Sequence, residues 1–344
     1  MEEKERLREA AARIVEWYSA SRRVLPWRES PTPYHVWISE IMLQQTRIEA
    51  VIPYYERFLA ELPDVRALAE VGEDRLLKLW EGLGYYSRAR NLKKAAIVIM
   101  DEYSGTFPQT YAELVKLPGI GEYTAGAIAS ICFDEKVPAV DGNVLRVIAR
   151  VQGSKENVLL PQTKKTVTEQ LKKIMPQRAG AFNEGLMELG ELVCLPNGAS
   201  LCDSCPLNKQ CTAYKKGLTE HLPVRVKKMK RRRADKTVFM IIAADGRIAI
   251  EKRPDTGLLS GMYQLPNVEG FHTEEELREI LQEWRIEPTD ITFTKEAKHV
   301  FTHIDWYMKS YRVKVQQTNS HFLWVTEDEL KTAYPLPTAF QKLL

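Results

Sequence analysis

The chain has 344 residues, enough for two domains or more, each with a core of its own. Its 49 basic and 46 acidic residues leave a formal charge of +3, so affinity for nucleic acid would have to come from local clustering. No apolar run is long enough to span a bilayer and the charged start MEEKERLRE is no signal peptide, so the expectation is a soluble, cytoplasmic protein rather than a membrane protein or an exported disulfide scaffold.

In chain order, Leu7, Ala11, Ile14 and Tyr18 recur at helical spacing and predict a first helix. In LPWRESPTPYHVWISEIMLQQTR, Trp37, Glu40, Ile41 and Gln44 fall on one helical face, which puts a carboxylate among apolar neighbours. GLGYYSRARN, Gly82 to Asn91, reads on its own as a turn with core aromatics. LPGIG, 117–121, is a glycine hairpin: Gly119 and Gly121 are expected at positive φ, and the chain then enters a helix whose first amides are unpaired. That makes either a phosphate seat or an ordinary helical corner. Cys132 sits in an apolar run and reads as core, and Asp141 reads as an N-cap for a helix starting near Val144. Leu171 to Met175 and Phe182 to Val193 continue the helical pattern.

Four cysteines follow, with seven residues between Cys194 and Cys202, two between Cys202 and Cys205, and five between Cys205 and Cys211. Ligand chemistry alone leaves zinc and an iron–sulfur cluster both open. RVKKMKRRR, Arg225 to Arg233, carries seven basic residues in nine and serves equally as a solvated connector or a DNA contact. Beyond it the pattern turns to short β-branched runs: TVFMIIA and RIAIEKR flank the hairpin signal Asp245-Gly246, and TEEELREILQEW predicts one helix capped by Thr273. The expected organisation is an all-α domain over 1–214, a basic connector over 215–235 and an α+β domain over 236–344, with no internal repeat.

These motifs together resemble the helix-hairpin-helix DNA glycosylases, and within them the MutY-type adenine glycosylase branch. The resemblance covers nearly the whole chain. It implies that LPGIG grips the DNA backbone through Gly119 and Gly121, and that Asp141 faces the sugar of a flipped nucleotide. It also implies that Glu40 is the general acid for the departing base, because burial raises a carboxyl pKa and a purine leaves as a protonated base. Asn143 would place the Asp141 carboxylate, and Tyr123 would hydrogen-bond both it and the acid. Lyase relatives of the endonuclease III type carry lysine where this chain has Tyr123, so the resemblance implies a monofunctional enzyme that uses water. Leu25, Trp27, Arg28 and Glu184 match the adenine pocket. Gln45, Thr46, Leu83 and Tyr85 match the residues that wedge into the duplex.

The cysteine loop, 194–211, resembles the family's [4Fe-4S] loop, with Cys194, Cys202, Cys205 and Cys211 as ligands. Its first gap is seven residues where the family has six, and it lacks the family's usual Lys or Arg. The C-terminal part resembles a MutT-like Nudix module with TGLLSGMYQLP as the best local match, but REILQEW lacks the leading Gly and Glu of a catalytic box. Recognition is then what remains for it: Phe301, Thr302 and His303 resemble the loop that reads 8-oxoguanine. The implied function is excision of adenine opposite 8-oxoguanine or G in double-stranded DNA, by a monomer. Three other classes fit the sequence less well. A non-enzymatic iron–sulfur DNA-binding protein would not need Glu40, Tyr123 and Asp141 together, an endonuclease III-type lyase would need the lysine, and a Nudix hydrolase would need the intact box.

Overall fold

The computed structural model describes residues 3–226 and 231–344, so the middle of the basic run, 227–230, lies outside the described residues. Within them, 3–70 and 91–226 form one compact unit, and 71–90 join 231–344 in a second.

The first unit is helical: α1 (Glu3–Ser21), α2 (Pro26–Glu29), α3 (Pro33–Leu43), α4 (Ile48–Glu61) and α5 (Val65–Glu70). After α6 (Glu73–Leu79), which belongs to the second unit, come α7 (Ser87–Glu102), α8 (Tyr111–Leu114), α9 (Glu122–Phe133), α10 (Gly142–Gln152), α11 (Pro161–Lys172), α12 (Ala179–Leu192) and α13 (Thr212–Lys215). Leu7 and Ile14 of α1, Val144 and Ile148 of α10, Leu171 of α11 and Phe182, Leu186 and Leu189 of α12 make one core, each buried side chain contributing about 1.5–3 kcal/mol. The periodicity read from the sequence is the pattern that this core needs.

Local chemistry fixes the helices that carry the site. Thr32 caps α3 by accepting the His35 N–H, and Pro33 supplies a first-turn residue with no amide to satisfy. Tyr34 and every residue from Val36 to Met42 are buried, so α3 is a core helix on all sides and Glu40 has no solvent face to turn to. Between α8 and α9 the hairpin turns at Gly119, whose φ of 74° favours glycine and whose missing Cβ would lie 2.5 Å from Asn91 Cβ. Gly121 departs from expectation. Its φ is −86°, an ordinary extended value for the N-cap of α9, and a Cβ there would meet nothing within 4 Å.

The second unit is built on a mixed sheet: β1 (Arg232–Ala243), β2 (Ile248–Lys252), β3 (Tyr263–Gln264), β4 (Asn267–Glu269), β5 (Pro288–Val300), β6 (Ile304–Val315) and β7 (Leu323–Val325). The order is β3-β2-β1-β6-β5, with β4 on β1 and β7 on β2; β1 and β6 run parallel and the other pairs antiparallel. The sheet carries α14 (Glu274–Glu283), α15 (Glu327–Thr332) and α16 (Thr338–Gln341). The hairpin at Asp245-Gly246 joins β1 to β2, and Thr273 caps α14 in a full capping box with Glu276, both as expected. The strand starts earlier than its β-branched residues suggest. Arg232 and Arg233, read as connector, pair with Ile304 and Asp305 of β6, and the ladder overrides their composition. Phe301 to His303 form the turn between β5 and β6. No helix among the described residues is long and apolar enough to cross a membrane.

Candidate active site and nucleic-acid interface

A cavity of about 1250 Å³ opens into the helical unit, lined by Glu40 from α3, Tyr123 from α9, Asp141 and Asn143 from the start of α10, and Glu184 from α12. Leu25, Trp27, Arg28, Gln45 and Thr46 line the same cavity. Residues spread over 160 positions of sequence thus meet in one chamber.

Glu40 is 8% exposed and its Oε2 accepts the Tyr123 hydroxyl at 2.6 Å. Burial pushes its pKa up to about 7; the Tyr123 bond and Arg28 oppose that shift, and the neighbouring Glu184 and Asp141 carboxylates reinforce it. Burial also raises the Tyr123 hydroxyl well above its usual range, so it stays a donor. Asp141 plays the cap read from the sequence: Oδ1 accepts the Val144 N–H at 2.7 Å, and Oδ2 accepts Asn143 Nδ2 at 2.9 Å. Burial raises its pKa, against the Val144 and Asn143 amides and Arg146, which favour the anion. Arg146 in turn reaches Asn143 Oδ1 at 2.9 Å, Gly190 O at 2.6 Å and Cys194 O at 2.8 Å. A Cβ on Gly190 would lie 2.7 Å from Asn143 Cβ, so α12 can approach this close only with glycine there.

The far wall is ionic. Arg28 donates from Nε to Glu184 Oε1 at 3.1 Å and from Nη2 to Glu188 Oε2 at 2.7 Å, with its guanidinium 5.4 Å from the Tyr18 ring centroid. The sequence gives no site signal for Arg23, Glu188 or Arg146, and shows Tyr18 only as a helix-face residue. The one local pattern is Glu188 four residues after Glu184, on the same helical face.

At the hairpin, the first amides of α9 follow an N-cap glycine that offers them no side-chain acceptor. Gln45, exposed beside the cavity, holds a φ of 60°, an uncommon conformation for a residue with a side chain. In the second unit Tyr85 does the same at 48°, half-exposed, and its hydroxyl lies 3.0 Å from Thr302 Oγ1. Leu83 is different. It is buried, so of the two wedge candidates in this segment only Tyr85 is presented at the surface. Phe301 packs between His299 and Trp306, with ring centroids at 4.6 and 4.9 Å, which supports the turn that exposes Thr302 and His303.

Cys194, Cys202, Cys205 and Cys211 line one small pocket. Cys194 Sγ accepts Arg150 Nη1 at 3.2 Å, Cys205 Sγ accepts the Leu207 N–H at 3.4 Å, and Cys211 Sγ accepts the Tyr214 N–H at 3.4 Å. N–H donors aimed at sulfur are what bound thiolates require. Burial raises the Cys205 thiol to about 12 and the Cys202 and Cys211 thiols in the same direction, and the neighbouring cysteines add to it; a bound cation would reverse that. Four sulfurs on one pocket, three of them with N–H donors, are the donor chemistry of a four-thiolate group, but their spacing is not that of a closed metal site. Among the described residues no three or more His, Cys, Asp or Glu converge as a site for a metal ion. The seven-residue gap turns at Gly198, with φ 75°.

Comparison with known proteins adds the family. Residues 38–177 match the HhH-GPD superfamily of base excision DNA repair proteins, and 237–344 match the NUDIX domain. Adenine DNA glycosylase of Buchnera aphidicola (subsp. Baizongia pistaciae) is 33% identical, with 96% of this chain and 94% of that one aligned. The Mus musculus enzyme of that name is 32% identical over 96% of this chain and 76% of its own, and the Homo sapiens one 31% over 96% and 72%. Among solved structures, a thermostable thymine-DNA glycosylase aligns with a TM-score of 0.55 at 28% identity, covering 61% of this chain and 98% of its own. An endonuclease III–DNA complex aligns at 0.54 and 25%, covering 64% and 100%. With 96% of its length matched by these relatives and a cavity that holds a protonatable buried carboxyl, the chain belongs to the adenine DNA glycosylase family, enzymes of base excision repair that hydrolyse the N-glycosidic bond of adenine in DNA.

Proposed function

We propose that this glycosylase removes adenine paired with 8-oxoguanine or G, with Glu40 as general acid, Asp141 as the anion beside the sugar and water as the final nucleophile. The observation that carries the reading is Glu40: a buried carboxyl with its pKa pushed to about 7 and a tyrosine hydroxyl on one oxygen, in the same cavity as a capped aspartate. Glu40 donates its proton to a ring nitrogen of the flipped adenine as the bond from C1′ to the base breaks, and the bonding electrons leave with the base. The sugar acquires oxocarbenium character, which Asp141 stabilises. Water adds to C1′ and gives up a proton that returns to the Glu40 carboxylate, leaving free adenine, an abasic site and the enzyme in its starting form. Asn143 and Tyr123 keep the two carboxyl groups in place, and Leu25, Trp27, Arg28 and Glu184 receive the base. Because Tyr123 brings no amine, there is no Schiff base and no strand cleavage.

Base flipping needs a filler for the vacated stack and a grip on the backbone. Exposed, left-handed Gln45 and Tyr85 suit the first, with Thr46 beside the opposite base. The Gly119–Gly121 hairpin suits the second. Phe301, Thr302 and His303 read the opposite base. The hydrogen bond between Thr302 and Tyr85 supports this, since it links the reading loop to the wedging residue. In the full chain, Thr302→Ala with His303→Ala should keep excision of A opposite G but lose roughly tenfold to a hundredfold of the preference for A opposite 8-oxoguanine, since a lost hydrogen bond or contact is worth about 1–3 kcal/mol. The measurement is the ratio of single-turnover rates on the two mispairs. An unchanged ratio would assign lesion reading to the helical unit.

We further propose that Cys194, Cys202, Cys205 and Cys211 hold a [4Fe-4S] cluster, which when bound would tie the 194–211 loop to α10 through Arg146 and Arg150. Protein purified without oxygen should be brown and contain about four irons per chain. Stoichiometric zinc in colourless protein would exclude the cluster.

A further inference from the structure

Three glutamates of α12, Glu184, Glu188 and Glu191, recur at helical spacing toward one side; Glu188 and Glu191 face the stretch between α1 and α2 that has no regular structure of its own, and Glu184 meets Arg28 of α2. That stretch, 22–25, carries the approach to Leu25, Trp27 and Arg28, and Val24 within it is 82% exposed, so apolar packing does not hold it at that point. Polar contacts do. The Glu188 side chain is wholly out of solvent and accepts four N–H donors: the Arg23 backbone amide at 3.0 Å, Arg23 Nε at 3.1 Å and Nη2 at 3.3 Å, and Arg28 Nη2 at 2.7 Å. Arg28 Nη1 returns to Arg23 O at 3.3 Å, and Arg23 Nη2 reaches Glu191 Oε2 at 2.6 Å. One carboxylate therefore ties a backbone amide and two guanidiniums.

We propose that Glu188 is a positioning residue for base excision, fixing Arg23 and Arg28 and through them the wall formed by Leu25, Trp27 and Arg28 against which the base is received. This rests on the reading of the cavity as the excision site. Glu188 touches neither Glu40 nor Asp141 in any bond described above; it acts through Arg28. Burial alone would favour its neutral form, but the bonds from Arg28 and Arg23 outweigh burial and hold it ionised. The charge matters as well as the shape. Glu40 is faced by Arg28 from α2, Tyr123 from α9, Asp141 from the start of α10 and Glu184 from α12, and of these Arg28 favours its ionised form by charge. Glu188 balances that guanidinium. Neutralising Glu188 uncovers the Arg28 charge and makes Glu40 easier to deprotonate.

The test uses the full chain with active sites titrated: single-turnover excision from a duplex with A opposite G, across pH, for native protein, Glu188→Gln and Arg23→Lys. A misplaced wall should lower the saturating rate of Glu188→Gln roughly tenfold to a hundredfold. The limb on which activity falls at alkaline pH should move to lower pH, while duplex affinity holds within about threefold. Arg23→Lys keeps a cation but loses the fork, and should fall between the two. A purely structural role would lower the melting temperature and leave both readouts in place. Per-site rates within about twofold of native and an unmoved limb would overturn the proposal. If Glu188→Gln does not fold, Arg23→Lys decides by the same rate criterion. Separately, an active Glu40→Gln would contradict the reading of the cavity itself, whatever Glu188 does.

Discussion

Glu40→Gln should lower adenine excision by roughly a hundredfold to ten-thousandfold, the usual range for a lost general acid, while leaving mismatch binding nearly intact. The amide keeps the size of the side chain and an acceptor for Tyr123, so the pocket should persist without its proton. If Glu40 is the general acid, as proposed, the active form is the protonated one and the rate should fall as pH rises through about 7. Stability carries the same sign. Folding raises the Glu40 pKa above its ordinary 4.5, so its contribution is fully present below that value and is lost as pH rises through about 7. The glutamine has no such loss. The difference in melting temperature between variant and native should therefore move in favour of Glu40→Gln as pH increases, and a gap that is flat with pH would count against a buried, protonated Glu40.

Asp141→Asn separates the helix cap that Asp141 forms from the charge beside the sugar that is proposed for it. Asparagine caps helices about as well as aspartate, so it should still accept the Val144 amide, and the change in stability should be no more than about 1 kcal/mol. What it lacks is charge. With no anion beside C1′, excision should fall roughly a hundredfold to a thousandfold, the range seen when a transition-state charge loses its partner. Chemical denaturation and single-turnover kinetics on the same preparation check both halves. A variant that loses stability and rate in proportion would make Asp141 a structural cap and nothing more.

Much of this site was legible because its residues sit in short motifs with local consequences. The helical spacing around Glu40 pointed to burial, the hairpin glycines pointed to a turn into a helix, and Asp141 read correctly as a cap. The misses share a cause: they depend on partners far away in sequence. Gly121 carries no positive φ because Gly119 alone makes the turn against Asn91. Arg232 and Arg233 look like connector, yet β6 supplies a ladder for them. The 71–90 stretch that holds Leu83 belongs with the C-terminal unit, which no local pattern shows. Glu188 earns its place only because Arg23 and Arg28 come to it from 165 and 160 positions away.

The central claim is that Glu40 and water, without an amine, break the bond to adenine. It is tested most directly on one duplex carrying A opposite 8-oxoguanine, with native enzyme and Glu40→Gln side by side and half of each sample treated with alkali. Native enzyme should release free adenine and leave the strand whole until alkali cuts it at the abasic site, and Glu40→Gln should leave it whole in both halves. Strand breaks by the native protein before alkali, or excision by Glu40→Gln near the native rate, would contradict the account.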